Sequence, residues 1–527
     1  MTSRTFRGAL GLSSAALVAA VIGIQPGDAH AQATTPAAPG AGAPAAGAPG
    51  APAAAPGGVA APQDPFTVEN LIGDSVSLSN QAYPEVDSAL QRFKNSDVKG
   101  AKEYLELAKQ KYPKLPPVDL LLAKLFVFAR NGEQARAALE STVTNYPDDP
   151  EAYLLLADLA FAEGRTTESH ALFEKAKALV DKFSDNVKRQ QNFQIRVLAG
   201  LAAVHQRRQQ WEPANALLVK WVELDPDSAA AHTRLGETQF RLKKPAEAFN
   251  EFKKARELNT QSNHPYVVLG QLFTQDNKLD EARKAFEQAF KEDGKNEATA
   301  RAYAEWLIQQ DQLDKAQVVA EEMRKNAPTS ENALMLDGLV AKMRNDAAGA
   351  EEALTQVLSI NPSNAGAINL LALILSESPN LAQQEKALRY AQMNAERFGN
   401  NSQANITLAW ILQKLGRSAD ADQFLQKAVQ GGQLNADSAY LVAKILVQKG
   451  QKENALKALE QVLEQAGSGM FMYRKEAEAL VKELGGTLPA AGAPGAATPA
   501  AGGTAPAAAP AAGTGTTLPV ATPSAPK

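Results

Sequence analysis

Residues 232–259 read HTRLGETQFRLKKPAEAFNEFKKARELN, and residues 266–293 read YVVLGQLFTQDNKLDEARKAFEQAFKED. Laid over one another they share a skeleton. Leu235-Gly236 returns as Leu269-Gly270, Ala248 as Ala282, Phe252 as Phe286 and Ala255 as Ala289, every one at the same interval. A fixed period between about 20 and 50 residues marks an architecture of stacked repeats. Within one copy, Ala248, Phe252 and Ala255 fall at i, i+4 and i+7, which is one face of a helix. Antiparallel helices packed ridge into groove approach to about 8–10 Å, and at the closest point only a hydrogen or a methyl fits. The small residues therefore mark helix contacts, and each flanking Phe contributes about 1.5–3 kcal/mol on burial.

The register extends in both directions. The first-helix small site falls at Ala89, Ala123, Ala157, Ala202, Gly236, Gly270, Ala304, Gly338, Ala372, Ala409 and Ala443. Twelve residues later the second-helix site falls at Ala101, Ala135, Ser169, Ala214, Ala248, Ala282, Ala316, Ala350, Ala421 and Ala455, with Ala387 three residues late. Two columns held this long predict about eleven helix–turn–helix repeats over 82–469. Pro113, Pro147, Pro226, Pro328 and Pro362 stand where second helices should stop. Asn277 and Asp311 are candidate caps for second helices. Some eleven extra residues between Val180 and Arg196 predict longer helices around one loop, with Phe183, Phe193 and Ile195 as apolar contacts. A short lead-in covers 65–81, and 470–485 predicts a capping helix, with Met472, Ala479 and Leu480 on its apolar face.

The period and the small-residue sites resemble the tetratricopeptide repeat. That resemblance covers about three quarters of the chain and implies an all-α, right-handed superhelical solenoid whose first helices line a concave groove. It also implies a groove that binds a peptide segment or helix of a partner protein. Carried onto this register, the groove face includes Phe240, Arg241, Val267, Arg301, Met335, Leu339, Met343, Ile406, Trp410 and Tyr440. Met335, Leu339 and Met343 are four apart and form one stripe, as do Ile406 and Trp410. Met and aromatic side chains serve binding surfaces and cores alike. The family's carboxylate-gripping subset places Lys, Asn and Arg in this groove. Here Thr233 and Glu237 hold such positions, which argues against that specialisation.

Outside the repeats the composition changes. Arg4 and Arg7 precede an apolar run from Ala9 to Ile24, followed by Gln25-Pro26-Gly27 and Ala29-His30-Ala31. This order reads as a secretory signal over 1–31, cleaved before Gln32. The apolar run falls short of the roughly 20 residues that span a bilayer, which disfavours a retained anchor. Residues 32–64 and 486–527 are rich in Ala, Pro, Gly and Thr. Frequent Pro blocks the helix that Ala would favour, and nothing large is present to bury, so both segments are expected to be disordered spacers.

The remaining chemistry is sparse. With 54 Lys and Arg against 58 Asp and Glu, no basic block suggests nucleic acid as a partner. The chain has no Cys, which excludes disulfides, thiolate metal sites and a catalytic thiol. His170, His205, His232 and His264 lie in separate repeats, without carboxylate or His neighbours at metal-ligand spacing in the sequence. No phosphate-binding glycine loop, zinc-binding H-E-x-x-H or nucleophile elbow occurs. The expectation is a non-enzymatic interaction scaffold, with no catalytic residue, cofactor, metal or small-molecule substrate. It would be exported to the periplasm or beyond, bind envelope or membrane-associated proteins, and span no membrane once the signal is removed. An accessory role in an envelope assembly or in polysaccharide or protein export is the alternative.

Overall fold

The computed structural model describes residues 64–488 apart from 74, 77–80, 185, 431–433 and 467–470. The expected signal, both expected spacers except a few boundary residues, and the first residue of the expected cap lie outside the described residues. The chain divides into two compact units with the boundary between Ser262 and Asn263.

In the N-terminal unit, α1 (Val68–Ile72) leads into five helix pairs: α2 (Pro84–Lys94) with α3 (Val98–Lys111), α4 (Val118–Phe128) with α5 (Gly132–Asn145), α6 (Pro150–Ala162) with α7 (Thr166–Val180), α8 (Val187–Arg207) with α9 (Trp211–Leu224), and α10 (Ala229–Arg241) with α11 (Pro245–Leu258). In the C-terminal unit six pairs follow: α12 (Pro265–Gln275) with α13 (Leu279–Asp293), α14 (Glu297–Gln309) with α15 (Leu313–Asn326), α16 (Glu331–Met343) with α17 (Ala347–Ile360), α18 (Ala365–Glu377) with α19 (Leu381–Arg397), α20 (Ser402–Lys414) with α21 (Ser418–Gln430), and α22 (Ala436–Gln448) with α23 (Lys452–Ala466). A final α24 (Arg474–Glu483) covers the last pair. The described residues contain no strand. Each unit is thus a helix–turn–helix solenoid, eleven pairs in all among the described residues.

The two small-residue columns are the contact line. Every Ala and the one Ser in them has no exposed surface, and Gly236, Gly270 and Gly338 are likewise buried. Size is exchanged across the contact. A Cβ built on Gly236 would stand 2.7 Å from the Phe252 ring, and one on Gly270 would stand 2.7 Å from the Phe286 ring. Where the first helix carries Ala, the residue sixteen further on shrinks to Leu in five repeats: Leu105, Leu139, Leu218, Leu425 and Leu459, all buried. Three repeats depart from the rule: Gly338 faces Leu354, Ala304 is followed at this spacing by Ala320, and Ala157 by Phe173, whose ring lies instead against Gly200 of the next first helix.

A third column emerges seven residues after the first-helix small site. Ser96, Arg130, Gly164, Gln209, Lys243, Asn277, Asp311, Asn345, Gly416 and Gly450 all have φ between 55° and 78°. This left-handed residue ends each first helix and lets the next amide fold back, as Asn131 N–H does on the Phe126 carbonyl at 2.9 Å. Asn277 and Asp311 therefore belong to this turn and are not second-helix caps; Lys278 and Gln312 hold the N-cap positions of α13 and α15, and neither makes a side-chain cap. In the ninth repeat the turn is absent, and Ser378 is extended with φ −63° and ψ 140°. That longer connection explains why Ala387 falls three residues late. The five expected prolines follow the ends of α3, α5, α9, α15 and α17.

The insertion lengthens α8 to 21 residues after a short loop. Phe183 and Phe193 meet edge to face at 5.4 Å between centroids, and Ile195 packs on the neighbouring cluster around Leu218 and Trp221. The cap α24 buries Ala477, Leu480 and Val481, with Phe471 and Tyr473 just ahead of it. Ala479, expected on the buried side, is not buried, because Ala477 holds the small site one repeat beyond Ala443 and sets the rotation of the helix.

Candidate functional site

Of the ten residues assigned to the first-helix face, Phe240, Val267, Ile406 and Tyr440 are buried, none more than 7% exposed. Arg241 is half-buried beside the Phe240 ring, and Arg301 is exposed and paired with Glu305 at 2.6 Å. Met335 and Leu339 are half-buried against the core of the C-terminal unit, and Met343 against the core around Trp306. Trp410 keeps part of its ring accessible.

Around Trp410 the first helices α18, α20 and α22 stand side by side. Lys414 lies one turn on in the same helix, so the two side chains share a face. Its ammonium is 5.9 Å from the indole centroid, and Lys444 of α22 is 6.0 Å away. Ammonium groups at this range are drawn to the electron-rich ring face. Lys414 also donates to the Ser376 carbonyl at 2.5 Å, while Lys342 of α16 pairs with Glu377. Glu377 is thus occupied, and neither Lys414 nor Lys444 forms an ion pair among the described residues. Burial holds the Lys414 ammonium below the usual lysine range; Glu377 opposes that, and the charges of Lys342 and Lys444 add to it.

The next sites along α22 are closed by the cap. The Tyr440 ring stacks on Tyr473 at 4.9 Å and 24°. Burial, with the nearby charges of Glu476 and Glu377, pushes the Tyr440 phenol up to about 12. Asp437 accepts the backbone N–H of Tyr473 at 3.2 Å. Burial raises its carboxyl to about 6, although that hydrogen bond and one from Met472 pull the other way. Sequence reasoning found Trp410 and Tyr440 but missed the lysines. A signal existed: Lys444 follows Trp410 by one full repeat and holds the same register site.

The N-terminal unit holds a different cluster. Glu151, 2% exposed at the start of α6, lies between Lys124 of α4 at 3.1 Å and Arg189 of α8 at 2.5 Å. Burial alone would raise its carboxyl, but Lys124, Arg189 and Arg196 together lower it to about 2. Arg189 also stands over the rings of Phe183 and Phe193. The inserted residues therefore supply a cation that neutralises a buried carboxylate.

Folding gives the histidines neighbours that sequence spacing does not show. His170 and His205 meet edge to face at 5.6 Å, since stacking brings together residues of successive repeats. His232 bridges Glu251 at 2.6 Å and the Pro226 carbonyl at 3.1 Å, and His264 lies 3.4 Å from Glu292. None of these belongs to a group of three or more possible metal ligands among the described residues.

Paired helices with small contact sites, a left-handed turn recurring within the pairs and an accessible side-chain cluster on the first-helix face define a repeat protein of the interaction-scaffold class. Tetratricopeptide-repeat profiles match residues 120–186, 273–339 and 406–470, so the chain carries tetratricopeptide repeats over these spans. A TPR repeat-containing protein of Pseudomonas aeruginosa, PA4667, is 28% identical over 209 residues, covering 38% of this chain and 34% of that protein. The chain thus spans about a third of the length of the curated relative it matches. Among solved structures, a tetratricopeptide repeat protein from Parabacteroides merdae is similar over 49% of this chain and 98% of its own, at 17% identity and a TM-score of 0.38. Yeast Tom70 is similar over 76% of this chain and 95% of its own, at 14% identity and a TM-score of 0.35. Proteins of this repeat type bind other proteins. No described helix is long and apolar enough to cross a membrane.

Proposed function

We propose that this scaffold binds a segment of a partner protein on the first-helix face of the C-terminal unit, with Trp410 as the anchor. The supporting observation is a half-buried Trp410 flanked by two lysines that have no ion-pair partner among the described residues. A Trp at the centre of an interface is the residue type most often worth about 2 kcal/mol or more. The partner belongs to the cell envelope on this reading, because Ala29-His30-Ala31 closes a segment with the order of a secretory signal. Spacers at 32–64 and 486–527, which carry no charge apart from Asp64 and Lys527, suit an accessory that bridges parts of an envelope assembly or export system.

The test is crosslinking in native cells followed by identification of the captured protein. Trp410→Ala is expected to reduce capture at least about tenfold while barely moving the melting temperature. A fall of many degrees in melting temperature would instead make Trp410 a packing residue and end the groove reading. N-terminal sequencing of the native protein is expected to begin at Gln32; an intact Met1 would overturn processing.

A further inference from the structure

The face around Trp410 carries a charge pattern that selects its ligand. Lys342, Lys414 and Lys444 come from three different first helices, and the charges of Lys342 and Lys444 both act on Lys414. Of the three, only Lys342 has a carboxylate among the described residues, Glu377. The charges of Asp437 and Glu476 act on Tyr473, and neither is among the charges acting on Lys414. Like charges held close together destabilise one another, and the cost grows where burial reduces screening. Lys414 is thus drawn toward Glu377, which is already paired with Lys342, and repelled by Lys342 and Lys444, and the acceptor that it has found is a neutral carbonyl.

We propose that this Lys414–Trp410–Lys444 cluster recognises an acidic, apolar-containing segment of a partner protein. Asp or Glu carboxylates of the partner would meet the two ammonium groups, and a neighbouring apolar side chain would cover the indole. A carboxylate there relieves the repulsion and supplies charge-assisted hydrogen bonds. The register explains how the site arises: Trp410 and Lys444 occupy the same position in successive repeats, so stacking sets them side by side. This assignment rests on the reading of that face as the partner-binding surface, and it adds the chemistry of what is bound.

The test uses fluorescence anisotropy with the full chain and four labelled probes. These are a short peptide of Glu and Leu residues, its Gln and Lys counterparts, and an oligothymidylate. The acidic peptide is expected to bind at least about tenfold tighter than the Gln peptide, and to weaken as salt shortens the Debye length. Lys414→Gln and Lys444→Gln should each weaken it several-fold, while Lys427→Gln, on a second helix, changes nothing. Lys414→Glu with Lys444→Glu should reverse the preference toward the Lys peptide. Equal binding of the acidic and Gln peptides overturns the assignment, and so does tighter binding of the oligothymidylate. A photo-crosslinking residue in place of the exposed Gln448, one turn from Lys444 on α22, leaves Trp410 and both lysines intact and separates the two readings. Capture of a protein through a segment that carries no acid refutes only the acidic class, whereas no capture at all refutes the binding face itself.

Discussion

The exchange of size between Gly270 and Phe286 makes a prediction whose sign depends on two opposing terms. Gly270 lies inside α12, so Gly270→Ala should gain about 1 kcal/mol from reduced backbone entropy of the unfolded chain. Its new methyl would sit 2.7, 2.8 and 3.0 Å from three atoms of the Phe286 ring, where ordinary contact begins at 3.4 Å. The ring would have to retreat by roughly 0.7 Å, the difference between 3.4 and 2.7 Å. It has little room, being 2% exposed and stacked on Trp306 at 5.3 Å and Tyr303 at 6.3 Å. Overpacking of a tight core costs about 1–3 kcal/mol, and rigid aromatic neighbours place this case at the upper end, leaving a net loss of about 1–2 kcal/mol. Phe286→Leu loses packing in its own right, though less than the roughly 3–5 kcal/mol expected for Phe286→Ala. The double variant recreates the Ala–Leu pair of five other repeats, so its loss should fall short of the sum by about 1 kcal/mol. Urea unfolding of the four proteins measures this coupling. Additivity to within about 0.3 kcal/mol, or a Gly270→Ala protein more stable than its parent, would refute the size-exchange argument.

Three other changes probe charge and backbone. Glu151→Gln leaves Lys124 and Arg189 without their carboxylate and should cost about 3–5 kcal/mol at neutral pH. Because the folded carboxyl is depressed from 4.5 to about 2, its stabilisation is complete above 4.5 and disappears as pH falls through that window. Melting curves of wild type and variant should therefore converge in acid, and a constant gap would refute the pairing. Asp437 runs the opposite way: its folded value is raised from 3.8 to about 6, so the wild type loses stability as pH rises between them. Asp437→Asn keeps an acceptor for Tyr473 N–H and should melt higher than wild type above pH 6 but not below 3.8. Gln209→Gly removes a side chain from a left-handed residue at φ 57°. Relief of about 1–2 kcal/mol against an entropy cost of about 0.5–1 predicts a gain near 0.5–1 kcal/mol, and a lower melting point would refute it.

The repeats were legible because contact between two helices restricts residue size, and size is written in the sequence. Ala248 and Ala282 announce the register on their own. The left-handed column was not legible, because backbone conformation is only weakly coupled to residue type once the surrounding turn dictates it. Gly164, Gly416 and Gly450 advertise it and Asn277, Asp311 and Asn345 hint at it, while Arg130, Gln209 and Lys243 adopt it silently. The same limit applied to the candidate site. Register placed Ile406 and Trp410 on one face but could not say that neighbouring side chains cover the first and leave the second partly open. Nor could local sequence show that Arg189 reaches a carboxylate 38 residues away, since that distance closes only through stacking.

The long helix α8 has a consequence for how the array comes apart. In a quasi-one-dimensional stack each repeat ordinarily holds only its neighbour, and ends can fray one unit at a time. Here α8 holds α6 through Arg189 on Glu151, Arg196 on Asp158 at 2.8 Å, and Arg207 on the Phe161 carbonyl at 2.6 Å, with its guanidinium 3.5 Å over the Phe161 ring. Phe173 of α7 is in turn closed over by Gly200. Opening α8 alone would leave a buried carboxylate with one cation and a large aromatic ring without its lid. The third and fourth repeats should therefore open as one cooperative block, their amides exchanging with a common free energy. A fragment of the N-terminal unit that stops before Val187 would lack half of that block, so a fragment that includes α6 and α7 should carry α8 to its end.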